Sequence, residues 1–300
     1  MVLGKIGLTG ATGMFGRHMR AALEAEGVQV IPVSRSGQCN TAIWDMTEWL
    51  SLEALDSLFD NADAIIHAGA IVDSSNSNVG ESSMFDVNVR ACINLAEWAA
   101  NRSTPLVFIS SACVYADPDS GFLPETAPTG INKLGGFYGK TKLIAEDILS
   151  RYRQSGLKLA VIRPSSLYGY GGHESKMLYK FLSLAVRGQI IELIPPVEDC
   201  IDFLHAADLA TSVIRVLEND YWCTLNVASG RPISIQELAL ACVAAAGSGS
   251  VKINKEHSLR RQTLRRFMLD TTSAHQHLAW HSSIGIQQGL IMALSGQLLA

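Results

Sequence analysis

The sequence predicts an α/β protein built on a doubly wound parallel sheet, with a smaller α/β subdomain interleaved near its C-terminus. Two observations support this fold class. Short apolar segments alternate with amphipathic segments of helical periodicity through the first half of the chain, as parallel strands alternate with crossover helices. In addition, a glycine-rich loop follows the first apolar segment and leads into the first helical one.

The first half of the chain supplies the strands and helices of this sheet. The expected strands are Lys5–Thr9, Gln29–Ser34, Ala64–Ala68, Leu106–Ser110 and Lys158–Arg163. The expected helices are Phe15–Glu26, Asn88–Ala100 and Tyr138–Arg153. Since the strands look buried throughout, helices should wrap the sheet.

The second half of the chain is less regular. After a loop-rich segment, Pro164–Glu174, it holds helices and one further expected strand, Thr224–Val227. The residues Ser234–Glu237 read as a capping box that opens another helix. We place a domain boundary between residues 165 and 166, giving domains 1–165 and 166–300, and expect a strand and helix near 201–228 to be interleaved with the first domain.

Composition and charge argue against several classes of function. Hydrophobic residues make up 48% of the 300 residues and charged residues 17%, so a large core can be buried and the chain is too apolar to be disordered. The net charge of −4 and the lack of a basic run argue against a nucleic-acid partner. No apolar run is long enough to span a bilayer and no signal-peptide pattern is present, so we expect a cytoplasmic protein with no membrane partner.

The cysteines and histidines predict neither disulfides nor a metal site. The six cysteines are scattered without a Cys-x-x-Cys pair, which favours free thiols in a reducing compartment. His275 and His277 would point to different sides of a helix and so cannot both ligate one ion. We therefore expect no metal.

The loop after the first strand reads Leu-Thr-Gly-Ala-Thr-Gly-Met-Phe-Gly, with three glycines in seven residues. At the N-terminus of a helix, free backbone N–H groups and the macrodipole attract a phosphate. Gly10 would permit the tight turn, Gly13 would let a pyrophosphate approach the backbone, and Gly16 would let the helix pack closely on the strand. The spacing favours a Rossmann-type dinucleotide site over an ordinary turn.

The end of the second strand should meet the ribose of that dinucleotide. An acidic residue there would favour NAD, whereas an arginine would accommodate the 2′-phosphate of NADP. The chain has Ser34 and Arg35 and no acid, which favours NADP(H); NAD(H) is possible if Arg35 is only a solvated surface residue. Asp45 is placed either to bind the adenine amino group or to cap a helix.

Candidate acid–base chemistry lies in the segment Phe-Tyr-Gly-Lys-Thr-Lys. Tyr138 and Lys142 are one helical turn apart and so share a face. A cation beside a tyrosine stabilises the phenolate, so we expect Lys142 to lower the pKa of Tyr138 from its ordinary value of about 10. Tyr138 could then exchange a proton with a substrate oxygen that Ser111 also holds. The alternative is a surface Tyr–Lys pair without a role in catalysis.

Taken together, these motifs resemble one known family over nearly the whole chain. The matching segments include TGATGMFG, IIHAGA, ISSACVYAD, YGKTK, VIRPSSLYGYGG and DFLHAADLA. They are similar to those of the extended short-chain dehydrogenase/reductases, also called the NAD-dependent epimerase/dehydratase family. The resemblance implies that residues 1–165 bind the cofactor and that the C-terminal half binds a small-molecule substrate, most often a nucleotide-linked sugar. It also implies a homodimer, paired through the helices Asn88–Ala100 and Tyr138–Arg153.

The resemblance further implies roles for individual residues. Ser111, Tyr138 and Lys142 would form the catalytic triad, with Lys142 also holding the nicotinamide ribose. Asn88 would steady the loop that lines the cofactor. The implied cofactor contacts are Gly10, Thr12, Gly13, Met14, Phe15, Gly16, Ser34, Arg35, Asp45, Met46, His67, Ala68, Gly69, Asn88, Tyr138, Lys142 and Pro164.

The chain departs from the family pattern in its expected substrate-binding and dehydration residues. Ala112 and Cys113 stand where sugar 4,6-dehydratases carry an Asp and a Glu, so the acid and base of dehydration are missing. Ile201 replaces an arginine that grips a phosphate in many members, and Ser166 stands where epimerases tend to have an asparagine. Four arginines could replace the lost phosphate contact or could form a solvated basic face: Arg260, Arg261, Arg265 and Arg266. We take Ser111, Ser166, Arg260 and Arg261 as candidate substrate contacts.

Four functional hypotheses follow. The first is an NADPH-dependent reductase that delivers hydride to the 4-keto group of a nucleotide-linked sugar, supported by Arg35 and by the missing dehydratase acids. The second is an NAD-dependent nucleotide-sugar 4-epimerase, which nothing in the triad excludes. The third is a carbonyl reductase on a substrate without a nucleotide, suggested by Ile201. The fourth is a non-catalytic NADP sensor, which the presence of both Tyr138 and Lys142 disfavours.

Overall fold

The structure is a computed structural model that describes residues 4–72, 80–117, 121–132, 135–254 and 266–299. The strands are β1 (Lys5–Thr9), β2 (Gln29–Ser34), β3 (Ala42–Ile43), β4 (Ala64–His67), β5 (Leu106–Ile109), β6 (Phe122–Leu123), β7 (Leu159–Pro164), β8 (Ser166–Tyr168), β9 (Ile190–Leu193), β10 (Cys200–Ile201), β11 (Phe203–His205), β12 (Thr224–Val227), β13 (Ile233–Ser234), β14 (Ser250–Ile253) and β15 (Met268–Leu269). The helices are α1 (Met14–Ala25), α2 (Leu52–Leu58), α3 (Glu81–Phe85), α4 (Ala91–Arg102), α5 (Gly136–Gln154), α6 (Met177–Val186), α7 (Ala206–Glu218), α8 (Ile235–Ala246), α9 (Thr272–Leu278) and α10 (Ile286–Ser295).

Seven of the described strands form one sheet, in the order β12-β7-β5-β4-β1-β2-β3. Every neighbouring pair in it is parallel. The chain proceeds from β1 to β2 and β3 on one side, and then returns to place β4 on the other side of β1. Since the strand order reverses there, the carboxyl ends of β1 and β4 border a crevice, the usual ligand position in such sheets. The predicted doubly wound, Rossmann-type α/β fold is confirmed.

Helices cover both faces of this sheet, as the apolar strands require. Ile6, Leu8 and Ile66 pack on one face with α1 and α7, where Leu23 and Leu209 are fully buried. Residues that point to the other face, on neighbouring positions of the same strands, pack against α2, α4 and α5. Burial on both sides is what fixes strands of continuous apolar character in a parallel sheet.

Most predicted elements lie within one or two residues of their expected bounds, and the helix expected at Asn88–Ala100 differs most. It is preceded by α3 and by a π-helical turn at Asp86–Arg90, and its regular part, α4, begins only at Ala91. The π turn carries one extra residue per hydrogen-bonded ring, which turns Asn88 inward to be fully buried. Sequence periodicity alone does not reveal such an insertion.

The second half of the chain both completes the large sheet and builds a smaller layer. β12 pairs with β7 at the edge of the sheet, and α7 packs on α1. The smaller layer joins α6, α8 and α10 around a separate apolar cluster and includes the parallel pair β9 and β14. Its helix α8 begins with the predicted capping box, in which Ser234 and Glu237 bond to each other's backbone. The division at residue 165 stays a prediction.

Candidate active site

The glycine loop joins β1 to α1 at the crevice between β1 and β4. Gly10 has a φ of +70°, and a Cβ there would lie 2.7 Å from the backbone nitrogen of Gly69. A Cβ on Gly16 would overlap the carbonyl oxygen of Gly10. A Cβ on Gly13 would meet only that same oxygen, at 3.2 Å, and otherwise open space at the N-terminus of α1. The loop therefore leaves room for an anionic group beside the free amides of the helix, as a dinucleotide pyrophosphate requires.

The other residues of the loop offer backbone groups more than side chains. The Phe15 side chain is buried in the core, so only its backbone could reach a cofactor. The sulfur of Met14 accepts a hydrogen bond from the Tyr179 hydroxyl at 3.0 Å, which ties the loop to α6. The Thr12 carbonyl accepts from Arg17 Nε at 2.9 Å, which fixes the loop to its own helix.

Ser34 and Arg35, at the end of β2, differ in their exposure. Ser34 is buried, and its hydroxyl is hydrogen-bonded to that of Thr41 at 2.6 Å. Arg35 is exposed, and among the described residues it has no ion-pair partner. Arg35 is therefore the group at this strand end that is free to meet an added anion.

Asp45 and Met46 follow β3, and the Met46 side chain reaches Gly69 in the loop after β4. Asp45 Oδ1 accepts from the backbone and the hydroxyl of Thr47, at 3.1 and 2.9 Å. Asp45 thus caps a turn, and the helix-cap alternative is wrong because the next helix, α2, begins later and is capped by Ser51. Met46 is buried, and a Cβ on Gly69 would come within 2.5 Å of its methyl carbon.

Asn88 holds the loop that follows β4. Its Oδ1 accepts from Ile71 N at 2.8 Å, and its Nδ2 donates to Ile71 O at 2.9 Å and to Thr141 Oγ1 at 3.0 Å. The Thr141 hydroxyl donates in turn to the carbonyl of Tyr138 at 2.8 Å. A single amide therefore links the loop to the helix that carries Tyr138. Thr141 was not singled out from the sequence, since its role depends on this tertiary contact.

His67, the last residue of β4, is buried behind the same loop. Its Nδ1 lies 2.7 Å from Thr9 Oγ1, and its Nε2 lies 3.2 Å from Cys92 Sγ. Burial, assisted by the charge of Lys142, lowers the pKa of His67 to about 3. His67 is therefore neutral, and its side chain lies behind the Ala68–Ile71 loop. Thr9 and Cys92 are further residues that sequence reasoning missed.

Tyr138 and Lys142 lie on one face of α5, as their spacing predicts. Lys142 is buried; its Nζ donates to the carbonyl of Ile109 at 2.8 Å and lies 4.6 Å from the ring centroid of Phe108. Burial lowers the pKa of Lys142 to about 8, with the nearby Cys92 and Glu146 acting in the opposite direction. A lysine of this kind can change its charge near neutral pH.

The pKa of Tyr138 corrects one expectation. Burial raises this pKa above its ordinary value, Cys113 raises it further, and a hydrogen bond with Ser111 lowers it. The expected lowering by Lys142 is not found, because the ammonium lies 6.0 Å from the ring centroid and desolvation of the phenolate outweighs its effect. Ser111 also caps a short 3₁₀ turn, where its Oγ accepts from Cys113 N at 3.2 Å.

A buried ion pair between Glu146 and Arg163 fixes this face of α5 to the sheet. Glu146 lies one turn beyond Lys142, and its carboxylate pairs with Arg163 of β7 at 2.6 Å. The hydroxyl of Ser110 donates to the same carboxylate. The Arg163 guanidinium also lies 5.0 Å from the ring centroid of Tyr115. The network connects the ends of β5 and β7 to the helix that carries Tyr138, and no sequence motif identified it.

The expected substrate contacts are only partly described. Ser166 is exposed on β8, next to Pro164 at the end of β7, and its backbone nitrogen donates to the Asp202 carbonyl at 3.1 Å. Arg260, Arg261 and Arg265 lie outside the described residues, whereas Arg266 is described and exposed. In the part of the chain that the structure describes, no group of three or more His, Cys, Asp or Glu residues could hold a metal ion. No helix among the described residues is long and apolar enough to cross a membrane.

Comparisons with known proteins assign the family. Residues 6–228 match the model of the NAD dependent epimerase/dehydratase family. The chain therefore belongs to this family of enzymes, as the sequence motifs suggest. This match covers the glycine loop and the helix that carries Tyr138 and Lys142.

Individual relatives differ in their activities. A dTDP-4-dehydro-6-deoxy-D-allose reductase from Streptomyces bikiniensis is 25% identical over 262 residues, covering 80% of this chain and 80% of the relative. A UDP-glucose 4-epimerase from Neisseria meningitidis serogroup C is 26% identical over 326 residues, covering 95% of this chain and 94% of the relative. The relatives thus include both a reductase and an epimerase.

Solved structures share the fold over almost the whole chain. MoeE5 in complex with UDP-glucose and NAD superposes with a TM-score of 0.82 at 22% identity, covering 97% of this chain and 98% of MoeE5. A UDP-N-acetylglucosamine 4-epimerase from Bacillus cereus gives the same TM-score of 0.82 at 24% identity, covering 97% and 96% of the two chains.

Proposed function

We propose that this protein is an NADPH-dependent reductase that transfers hydride to the 4-keto carbon of a nucleotide-linked sugar. The observation that carries the choice of cofactor is Arg35, which is exposed at the end of β2 without an acidic neighbour and without an ion-pair partner among the described residues. An arginine in this position accommodates the 2′-phosphate that distinguishes NADP from NAD. The choice of reaction is supported by the relative from Streptomyces bikiniensis, which is a dTDP-4-dehydro-6-deoxy-D-allose reductase.

The cofactor would lie in the crevice between β1 and β4. The glycine loop fits a pyrophosphate, since Gly13 leaves open space at the amides of α1. Met46, Gly69 and the side chain of Asp45 would surround the adenine half. When bound, the nicotinamide supplies the hydride, and the protein supplies position and electric field.

Tyr138, Ser111 and Lys142 would perform the proton chemistry. The ketone oxygen would accept hydrogen bonds from the hydroxyls of Ser111 and Tyr138, which polarises the carbonyl. Tyr138 would donate its proton to that oxygen as the alcohol forms. A raised pKa keeps Tyr138 protonated and so ready to donate. Lys142, whose ammonium is fixed by the Ile109 carbonyl, would hold the nicotinamide ribose.

The substrate would be held by the C-terminal half of the chain. Ser166 is exposed beside the end of β7 and is available for a sugar hydroxyl. We propose that Arg260 and Arg261 bind the diphosphate of the substrate, because a guanidinium group can donate two parallel hydrogen bonds to one phosphate. We further propose that the enzyme acts as a cytoplasmic homodimer.

A second candidate is an NAD-dependent nucleotide-sugar 4-epimerase. The UDP-glucose 4-epimerase from Neisseria meningitidis serogroup C matches 95% of this chain, more of it than the reductase does. An epimerase oxidises and re-reduces the same carbon, so its cofactor stays bound through the reaction. The same triad serves both activities, and cofactor exchange separates them.

The first experiment is to titrate the purified protein with NADPH and NADH by fluorescence, after checking its absorbance for copurified cofactor. The reductase predicts reversible binding that favours NADPH. Arg35→Ala should weaken NADPH binding by about tenfold or more, the loss of one charge-assisted phosphate contact, and leave NADH unchanged. Arg215→Ala, another exposed arginine, serves as the matched control and should change neither.

The opposite result would redirect the proposal. Copurified NAD that does not exchange, with no effect of Arg35→Ala, would favour the epimerase. NADPH oxidation with a dTDP-4-keto-6-deoxyhexose and interconversion of UDP-glucose with its 4-epimer are the two activity assays. Activity in the first assay alone supports the reductase; activity in the second alone contradicts it.

A further inference from the structure

A continuous series of hydrogen bonds runs behind the loop that follows β4. The backbone nitrogen of Gly69 donates to Thr9 Oγ1 at 3.1 Å, and Thr9 Oγ1 lies 2.7 Å from His67 Nδ1. His67 Nε2 lies 3.2 Å from Cys92 Sγ, and this sulfur lies 3.0 Å from the carbonyl oxygen of Asn88. We call these five residues the Thr9–Asn88 chain.

Counting donors and acceptors gives the chain a direction. The hydroxyl of Thr9 already accepts from Gly69 N, and among the described residues the acceptor for its own hydrogen is His67 Nδ1. His67 Nδ1 must then be unprotonated, so Nε2 carries the hydrogen and donates it to Cys92 Sγ. The thiol hydrogen donates onward to Asn88 O. The reverse direction would leave the fully buried Thr9 hydroxyl without an acceptor, which is costly.

Both ends of the chain hold the same loop. At one end it fixes the backbone of Gly69, and at the other it reaches Asn88, whose side-chain amide binds the N–H and the C=O of Ile71. Gly69 in turn packs against Gly10, where a Cβ would lie 2.7 Å from its nitrogen. The chain therefore sets where the loop lies relative to the glycine loop.

The neighbours of His67 require it to be neutral. It faces Thr9 of β1, Cys92 of α4, Phe108 of β5 and the charged Lys142 of α5. The Phe108 ring stacks on the imidazole, with centroids 6.0 Å apart, while the Lys142 ammonium approaches the same ring. An imidazolium would place a second buried cation beside Lys142. The thiol of Cys92, whose pKa burial raises to about 12, stays protonated and adds no charge.

We propose that Thr9 and Cys92 hold His67 as the neutral Nε2–H tautomer. All three act as positioning residues, because together they fix the Ala68–Ile71 loop against the cofactor. Cys92 has a specific part in this, because its sulfur accepts from His67 while its hydrogen donates to Asn88. The link from the loop to the cofactor rests on the proposed function. The tautomer itself does not, since it is a property of the protein without ligand.

The first test reads the tautomer directly. The protein is labelled with ¹⁵N-histidine and the ring nitrogens are observed by NMR, with His67 identified as the signal missing in His67→Gln. We expect a protonated Nε2 and a bare Nδ1, with shifts constant across the range in which a free imidazole titrates. A protonated Nδ1, or a histidine that titrates near its ordinary pKa, would overturn the proposal.

The second test compares Cys92→Ser with Cys92→Ala. Serine keeps one acceptor and one donor, so NADPH and NADH should bind within about twofold of the parent protein. Alanine leaves His67 Nε2–H without an acceptor, so binding should weaken by about fivefold or more and the His67 shifts should change. If Cys92→Ala lowers the melting temperature but changes neither the His67 shifts nor the dissociation constants, Cys92 only fills space and the proposal is wrong.

The two proposals fail in distinguishable ways. If the parent protein binds neither dinucleotide, the proposed function fails, and with it the part of this inference that concerns the cofactor. The His67 spectrum of the unliganded protein still decides the direction of the Thr9–Asn88 chain. If dinucleotide binds and His67 has the other tautomer, the proposed function stands and this inference falls.

Discussion

Tyr138 shows how one residue can satisfy a sequence motif and still differ from the expected chemistry. Burial raises its pKa, and Lys142 lies too far from the ring to reverse this. A tyrosine that remains protonated is suited to donating a proton to a ketone and less suited to removing one from an alcohol.

Removing the hydroxyl of Tyr138 tests its role at the scale of one atom. Tyr138→Phe keeps the ring and its packing but removes the proton donor, so turnover should fall by about 10²-fold or more while dinucleotide binding changes little. Steady-state kinetics and cofactor titration measure the two effects separately. Tyr152→Phe, on the outer end of the same helix, is the matched control and should keep full turnover. Normal turnover in Tyr138→Phe would exclude Tyr138 as the proton donor.

At the scale of one element, α5 carries three charged or polar groups on a single face. Tyr138, Lys142 and Glu146 follow one another at intervals of one turn, but their surroundings differ. Lys142 is fixed to β5 through the Ile109 carbonyl, and Glu146 is fixed to β7 through Arg163. The helix therefore takes its position from the sheet, against which the face with Lys142 and Glu146 is held.

The ion pair of Glu146 makes a prediction about stability. Glu146→Gln leaves the buried Arg163 without a counter-charge, so the free energy of unfolding should fall by about 3 kcal/mol, the scale for breaking a buried pair. Chemical denaturation measures this. Glu24→Gln removes a partner from the exposed pair with Arg20 and should change the free energy by less than about 0.5 kcal/mol. Equal effects of the two substitutions would contradict the structural role assigned to Glu146.

At the scale of the whole molecule, buried histidines make the fold sensitive to acid. Burial lowers the pKa of His67 to about 3, and burial together with His18 lowers that of His205 to about 4. An unfolded histidine titrates near pH 6.5. Between these values the unfolded chain binds protons that the native protein does not. The contribution of these histidines to the free energy of unfolding is therefore fully present above about pH 6.5 and is lost as the pH drops toward 4.

Replacing His205 should reduce this acid sensitivity. Its Nδ1 caps α7 by accepting from Ala207 N, and an asparagine oxygen can make the same bond without titrating. His205→Asn should therefore lessen the slope of unfolding free energy against pH between about pH 6 and 4, by up to about 1.4 kcal/mol per pH unit. Denaturation at several pH values measures the slope. An unchanged slope would show that His205 does not contribute to it.

Much of this fold follows from local sequence patterns, whereas several of the tertiary contacts that stabilise it do not. β1 and β2 have the bounds that their apolar residues predict, and the glycine loop predicts the start of α1 within one residue. The Thr9–His67 contact joins residues 58 apart, and the Arg163–Glu146 pair joins a strand to a helix. These contacts depend on strand order and on which face of each helix meets the sheet. The sequence therefore indicates candidate site residues more readily than the tertiary contacts that hold those residues in place.

The position of β12 has a consequence for the biosynthesis of the chain. Residues 224–227 close the edge of the large sheet beside β7, although α6 and β9 of the smaller layer precede them in the sequence. A ribosome must therefore synthesise the 59 residues between β7 and β12 before the sheet receives its last strand. Until then, β7 is an open edge with unpaired backbone groups, which neighbouring nascent chains can join. A fragment that ends at residue 165 would retain this edge permanently, so its aggregation is an expected cost of dividing the protein there.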